Sequence, residues 1–488
     1  MKLKRKTKLL LGLLPLLFVL WHCEKGKYSM SKIKSKTKPP VAKKVPKTLN
    51  AHGSKRIDDY YWMRERSQPE VIKHLEEENA YTESVMKPLK PLRQKLFNEM
   101  KRRINEKESS APYFHNGYYY YTRYVEKGEY PIYCRKKGKL TAKEEIIINV
   151  NVLAKGQEYY DIGEVSISPN NKLAAYTFDD QGRRKYKIKV KDLEAGKDLG
   201  DILEGTSGDI TWFGDNKTFV YAKVHPETLR EGEIYSHTLG ASPKNDRLVY
   251  KEDDETYYVF SYLAKSQDTI FFMSSSTLTT EVSYLDVNDV SGKPRLFEPR
   301  QKDHKYSVDT DGEKFYVRTN WQALNYRLMT TGLRDTKKEK WKELIPNRDD
   351  VYFVDFELFR DYLILEEKRN GLNRVRILSK NDKSRDEYIE FDESLYTNSI
   401  DQNEDLDSET LRVTLASMKI PTSIYDINLK TNKKTLIKQD EVMGGYNAKK
   451  YESERLYARG RDGKAVAISL VYKKGIKFDG KNPLLLYG

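Results

Sequence analysis

Residues 116–138 read NGYYYYTRYVEKGEYPIYCRKKG. A Gly turn leads into a Tyr-rich run, a short polar turn (Glu126–Glu129) follows, and a second alternating run closes the stretch. Aromatic and β-branched residues at period two, bounded by turn residues, predict two antiparallel strands joined by a hairpin. The same unit recurs near Glu164 (EVSISPNNKLAAYTFDD), Gly208 (GDITWFGDNKTFVYAKV), Glu255 (ETYYVFSYLAKSQDTIFFMSS) and His304 (HKYSVDTDGEKFYVRTN). It returns near Asp350 (DVYFVDFELFRDYLILEEK) and Asp407 (DSETLRVTLASMKIPTSIYDIN). The starts lie roughly 47 residues apart, a spacing that suits four-stranded propeller blades. The expectation is a mainly β chain: a seven-bladed β-propeller over residues 109–440. Ser168-Pro169-Asn170-Asn171, Asp215-Asn216, Asp311-Gly312 and Arg369-Asn370-Gly371 are expected to be its tight turns.

Flanking segments complete the domain reading. Pro69 opens a predicted helix to about Met86, with Ile72, Leu75, Tyr81, Val85 and Met86 near one face. Pro88 and Pro91 interrupt it, and a second helix follows with Leu92, Leu96, Phe97, Met100 and Ile104 on one side. Residues 49–108 thus form a two-helix N-terminal segment, too polar to stand alone. After residue 440 comes a hairpin around Asp462-Gly463, then KNPLLLYG, whose Pro483–Tyr487 run reads as one buried strand of a new sheet. A lone strand leaves both edges unpaired, so residues 441–488 are expected to be only the start of a further domain.

The net charge of +15 is unevenly spread. Residues 1–50 hold fourteen Lys/Arg and one acid, Glu24, a net of +13, so the rest of the chain carries only +2. No helix bears a basic stripe with interleaved aromatics, so nucleic acid is not an expected partner. In the leader, five positive charges precede an apolar run from Leu9 to Trp21. This is the pattern of a secretory signal over residues 1–23, too short for a comfortable membrane span. Cys23 stands where a lipoprotein carries its lipidated cysteine, although Trp21 and His22 replace the usual small residues. Residues 24–48 read as a flexible basic linker. The expectation is export or attachment to the cell envelope, with membrane anchoring through the leader. If translation starts at Met30, the expectation is a cytoplasmic protein.

The candidate chemistry is sparse. With one of the two cysteines, Cys23, in the leader, Cys134 has no partner, and it reads as a small buried hydrophobe. Gly205-Thr206-Ser207-Gly208 lacks the G-x-S-x-G spacing of a nucleophile elbow and reads as a blade turn. Asp401-Gln402-Asn403-Glu404-Asp405 begins like a calcium loop. Leu406 replaces the required Gly and Arg412 the bidentate Glu, so a solvated acidic turn is expected. Asp309-Thr310-Asp311-Gly312 reads as a turn. The seven histidines (22, 52, 74, 115, 225, 237, 304) show no ligand spacing, and neither a metal nor a cofactor is expected. Glu252-Asp253-Asp254-Glu255 reads as a solvated blade edge, with guidance of cationic substrates as the alternative.

Several long stretches carry a resemblance: PPVAKKVP (39–46), HGSKRIDDYYWMR (52–64), residues 116–138, KNDRLVYKEDDETYYV (244–259), DFELFRDYLILEEKRNGLNRVRI (355–377), YESERLYARGRDGKAVAISLVYKKG (451–475) and KNPLLLYG (481–488). In this order they resemble the oligopeptidase B group of the prolyl oligopeptidase family of serine peptidases. The resemblance implies a seven-bladed propeller capping a C-terminal α/β-hydrolase domain, on which the N-terminal helices pack. It implies cleavage of short peptides after Arg or Lys by a Ser-Asp-His triad, with the propeller excluding large folded substrates. In that family the triad and the acids that bind the basic side chain lie after the point matching Gly488, so no catalytic role falls on any residue here, and the substrate-contacting residues are unknown. The resemblance leaves three readings: the propeller part of such a peptidase, truncated or recorded as a fragment; a non-catalytic binding propeller; or one half of a split enzyme completed by a separate hydrolase chain. The purified 488-residue chain is expected to release no product from chromogenic Arg or Lys substrates. Turnover blocked by a serine-directed inhibitor would overturn that expectation.

Overall fold

The computed structural model describes residues 38–382 and 384–488. The leader, Cys23 and most of the basic linker therefore lie outside the described residues. The described chain divides into two compact units, meeting between Ile104 and Asn105.

In the first unit a hairpin pairs Lys47–Ala51 with Ser54–Asp58, so the last two residues read as linker are already strand. Helix α1 spans Pro69–Met86, with Pro69 at its first position, where the missing N–H is no loss. Pro88 sits in a single 3-10 turn, Lys87–Leu89. Helix α2 follows over Lys90–Lys101, with Pro91 in its first turn. The prolines therefore redirect one helical stretch at the expected point. Val71 is buried, whereas Ile72, Leu75, Leu96, Phe97 and Met100 remain exposed.

The second unit is built of antiparallel meanders. Sheet I joins Tyr113–His115, Tyr118–Arg123, Ile132–Lys137 and Glu144–Asn149. The Tyr-rich run pairs with its partner from Tyr118↔Lys137 to Arg123↔Ile132, as its alternation demands. Sheets III, IV, V and VI repeat the four-stranded pattern; their first strands are Tyr258–Leu263, Tyr306–Thr310, Val351–Leu358 and Tyr396–Ile400. Sheet II, over residues 161–251, differs: it has seven strands.

This corrects the expectation of seven separate four-stranded blades. Five four-stranded sheets stand apart, and sheet II is continuous because one strand, Lys197–Trp212, serves both its halves. Lys197–Thr206 of this strand pair with Tyr186–Asp192, and Thr206–Trp212 pair with Thr218–Val224. Gly205-Thr206-Ser207-Gly208 is therefore an irregularity inside a strand instead of a turn between strands. Gly205 supplies the left-handed φ of +68° that bends it without a side-chain clash. The two halves of sheet II then pack on each other: Ala175, Ile188 and Val190 share one core with Trp212, Phe219 and Tyr221.

Each remaining junction has its own apolar core. Tyr120 and Ile148 meet Tyr176 between sheets I and II. Phe213 and Val220 meet Phe272 between II and III. Phe271 meets Phe315 between III and IV, and Tyr316 meets Leu365 between IV and V. Ile364 and Ile377 meet Val413 between V and VI. Between VI and I the pattern changes, because the buried Tyr121, Ile132 and Cys134 all belong to sheet I. That seam is joined by polar contacts. Arg412 grips Asp426 with two hydrogen bonds of 2.7 and 2.9 Å and donates a third, 2.6 Å long, to the Pro112 carbonyl. Lys438 pairs with Glu108 at 2.7 Å. Cys134 is buried as expected, and burial pushes its thiol up to about 11.

Beyond sheet VI, Tyr451–Arg459 and Ala465–Lys473 form the expected hairpin, with Gly463 at φ +79°. Ser453 donates a 2.8 Å bond to Glu393, and Arg455 one of 2.7 Å to the Asn370 carbonyl. Pro483–Tyr487, read as a buried strand, is irregular and exposed, with Leu485 91 % accessible. A strand exists only beside a strand that takes up its backbone hydrogen bonds, and no described strand lies there. The start of an α/β-hydrolase sheet is therefore not seen in residues 441–488.

One buried group works against this fold. Asn398, 1 % exposed within the first strand of sheet VI, has neither side-chain amide atom bonded to another described residue. A buried, unpaired amide costs about 1–3 kcal/mol. Asn398→Leu, close in volume, is expected to raise the midpoint of chemical unfolding, with a gain in unfolding free energy of about 1–3 kcal/mol. A lower midpoint would show that the amide is satisfied.

Candidate functional site

The first strands of sheet I, of both halves of sheet II and of sheet III, with the segments that follow the first strands of sheets V and VI, line a common cavity of ≈ 1070 Å³. Tyr113 and His115 come from sheet I, and Glu164, Ser166, Asp209 and Thr211 from the two halves of sheet II. Ser261, Tyr262 and Lys265 come from sheet III, Arg360 from the turn after the first strand of sheet V, and Gln402, Glu404, Asp405 and Asp407 from the loop after that of sheet VI. A strand alternates its side chains between two faces, so residues two apart, such as Glu164 and Ser166 or Asp209 and Thr211, line one wall.

The wall is acidic. Glu164 accepts a 3.0 Å hydrogen bond from the Ile210 N–H, and burial, with some help from the Asp209 charge, pushes it up to about 8. Asp309, behind the wall, accepts from the backbone N–H groups of Lys265 and Thr310 at 2.9 and 2.8 Å. Burial nevertheless raises it to about 7. Burial also raises Asp209, Glu231, Asp355 and Glu357. Asp209 and Asp355 keep more than a third of their surface open, so solvent screens their charges more than those of the others. A carboxyl taken from water into a confined space holds its proton to higher pH unless a cation offsets the loss of hydration. Two cations stand in the wall. Arg360 pairs with Asp407 at 2.8 Å, and Lys265 reaches Glu357 at 2.5 Å.

This arrangement revises three sequence readings. Asp401–Asp405 is not simply a solvated turn. Asn403 donates to the Asp401 and Arg412 carbonyls at 2.7 and 3.0 Å and accepts from the Arg412 N–H at 2.7 Å, which fixes the loop on the cavity rim. Asp309 and Thr310 end a strand instead of forming a turn; the turn itself is Asp311-Gly312. Glu252 is no solvated edge either: at 6 % exposure it accepts hydrogen bonds from Ser274 and Arg300, while Asp253, Asp254 and Glu255 remain outside. The signal available in the sequence was a set of acids inside strand-like runs, where Asp and Glu are disfavoured.

Two histidines are buried in hydrogen-bonded positions. His237, fully buried, lies 2.7 Å from Asp246 and 3.1 Å from Asp201, and Tyr221 donates a 2.7 Å bond to the same Asp246. His304 lies 2.9 Å from the Thr319 hydroxyl, and burial lowers it to about 4. Among the described residues no group of three His, Cys, Asp or Glu side chains is placed to hold a metal ion.

Residues 39–440 match the prolyl oligopeptidase N-terminal β-propeller domain. Dipeptidyl aminopeptidase BI of Pseudoxanthomonas mexicana is 36 % identical over 93 % of this chain and 65 % of its own length. Protease 2 of Moraxella lacunata is 29 % identical over 92 % of this chain and 66 % of its own. Among solved structures, oligopeptidase B from Leishmania major superposes with a TM-score of 0.82 at 29 % identity, covering 91 % of this chain and 66 % of that one. Oligopeptidase B from Trypanosoma brucei, with antipain covalently bound, gives 0.83 at 28 % identity, with 90 % and 66 % covered. The chain thus spans about two thirds of the length of these relatives. With a propeller match across four-fifths of its length, the chain belongs to the prolyl oligopeptidase family of peptidases.

Proposed function

We propose that this chain is the substrate-admitting part of a serine peptidase that cleaves short peptides after Arg or Lys. The observation that carries this reading is the convergence of Glu164, Asp209, Glu404, Asp405 and Asp407 on one cavity lined by two cations, Lys265 and Arg360, with Asp309 and Glu357 behind Lys265. A low-dielectric cleft lined by one sign of charge concentrates ligands of the opposite sign. Its ≈ 1070 Å³ is at the upper end of the range for ligand pockets, room for a few residues and far too little for a folded domain. The names of the relatives include a dipeptidyl aminopeptidase and prolyl endopeptidases, and the acidic wall favours basic substrates over these alternatives. Counting the two halves of sheet II separately gives seven meanders, which supports a seven-bladed ring.

Cleavage itself is assigned to a hydrolase domain, covalently continuous or supplied by a separate chain. The exposed apolar residues of α2 and of Leu484–Leu486 support such a partner, since contiguous apolar surface marks an interaction site. Without one, the chain would serve as a binding propeller. Export with lipidation at Cys23 is part of the proposal, and a cytoplasmic location from Met30 is its alternative.

The test is fluorescence anisotropy with a labelled Arg- and Lys-containing hexapeptide and an acidic counterpart. Glu164 and Asp309 lose their protons as pH rises through about 8 and about 7, which adds negative charge to the wall. Binding of the basic peptide is therefore expected to strengthen from pH 6 to pH 8 and to weaken with salt. Combined Glu164→Gln and Asp309→Asn substitutions are expected to weaken it roughly tenfold and flatten the pH dependence. Equal affinity for the acidic peptide would overturn the reading.

A further inference from the structure

Lys265 carries its cation away from its own sheet into a nearly buried position. It follows the first strand of sheet III, and its backbone N–H donates to Asp309 of sheet IV at 2.9 Å. The side chain then leaves its own sheet. Its ammonium meets Glu357 of sheet V at 2.5 Å and donates to the Asn403 carbonyl in the loop after the first strand of sheet VI. The Phe359 ring lies 5.1 Å from the nitrogen, near enough for a cation–π contact. A carboxylate, a carbonyl and an aromatic face around one nitrogen match what an ammonium group loses when it leaves water. Lys265 is only 8 % exposed, yet it lines the acidic cavity, so the nitrogen site lies just behind the cavity wall. The Lys265 ammonium occupies this site, so its dimensions suit a primary ammonium group.

We propose that Glu357, the Asn403 carbonyl and the Phe359 ring form a binding site for a primary ammonium group, which Lys265 fills from within the chain and which a basic side chain of a peptide in the cavity takes over by displacing Lys265. The site stands on the contacts above; the displacing peptide rests on the function proposed in the preceding subsection. The exchange swaps one ammonium for another, so no charge is left buried alone, which is the costly outcome for such a pair. Lys265 is then a tethered stand-in that keeps the wall closed until a basic peptide arrives. An acidic or neutral peptide brings nothing to replace it.

Two measurements on the full chain test this. The first follows the melting temperature of Lys265→Ala in millimolar n-propylammonium. The expected result is a saturable rise at least tenfold more sensitive than in the wild type, absent with propionate and lost in Lys265→Ala/Glu357→Gln. A response equal in the single and double variants, or none in the folded single variant, overturns the site. The second uses the wild-type chain and so does not depend on the variant folding. Acetylation of Lys265 by acetic anhydride, read by mass spectrometry, is expected to quicken severalfold with the basic hexapeptide and to stay slow with the acidic one. Unchanged Lys265 reactivity while anisotropy shows the peptide bound overturns the displacement. Propylammonium rescue without peptide binding leaves the ammonium site standing and overturns the basic-peptide function.

Discussion

The structure depends on one requirement: a four-stranded meander with apolar residues on both faces cannot leave either face in water. Phe271 and Phe272 are adjacent in one strand of sheet III and both fully buried, one facing sheet IV and the other sheet II. Tyr316 and Phe315 of sheet IV divide in the same way. Each sheet therefore needs a neighbour on each side, and a succession of such sheets is satisfied only by continuing around. Burial of this kind contributes about 25 cal/mol per Å² of apolar surface and acts without direction. Direction comes from strand alternation, which decides which neighbour each ring meets.

The same stacking creates the polar centre. Once the faces of the sheets are committed to each other, the first strands of sheet I, of both halves of sheet II and of sheet III turn remaining side chains toward the shared cavity. Those positions hold Glu164, Ser166, Asp209, Thr211 and Ser261. Acids placed there lose hydration and have few cations to recover it, and so Glu164 and Asp309 hold their protons to unusually high pH. Lys265 and Arg360 relieve part of this, each by reaching across to another sheet. The electrostatics of the cavity are thus a consequence of the packing around it.

The closing seam differs from the other junctions because its contacts are charged. Arg412 and Lys438 span it by hydrogen bonds to Pro112 and Glu108, where other junctions interlock aromatic rings. The partly exposed Lys438–Glu108 pair contributes little, typically under about 1 kcal/mol, and Arg412 adds a single hydrogen bond across the seam, whereas each buried aromatic removes a large apolar area from water. The sheet I–VI boundary is therefore held more weakly than its neighbours, beside a further cavity of ≈ 450 Å³ lined by Tyr121, Cys134 and Arg412.

Much of the fold was legible in the chain. Period-two runs bounded by Asn, Asp and Gly are local signals, and they gave the hairpins at 116–138, 350–371 and 451–473 and both N-terminal helices with their proline punctuation. The first strands of sheets I and VI, Tyr113–His115 and Tyr396–Ile400, leave little trace in the sequence because they are short and their Tyr, His and Asn side chains carry no strong alternation. The sequence also could not show that Gly205–Gly208 stays inside one strand, since a bulge and a turn use the same residues and differ only in which neighbour pairs with them. The acidic cavity was not legible at all. Glu164 lies 145 residues before Asp309, Glu357 follows 48 further on, and Lys265 meets Glu357 across 92. Local composition by itself determined where strands, helices and turns lie, because those depend on neighbours a few residues away. Which charges share a wall, and which cation reaches them, was decided only when stacking of the sheets brought distant first strands around one centre.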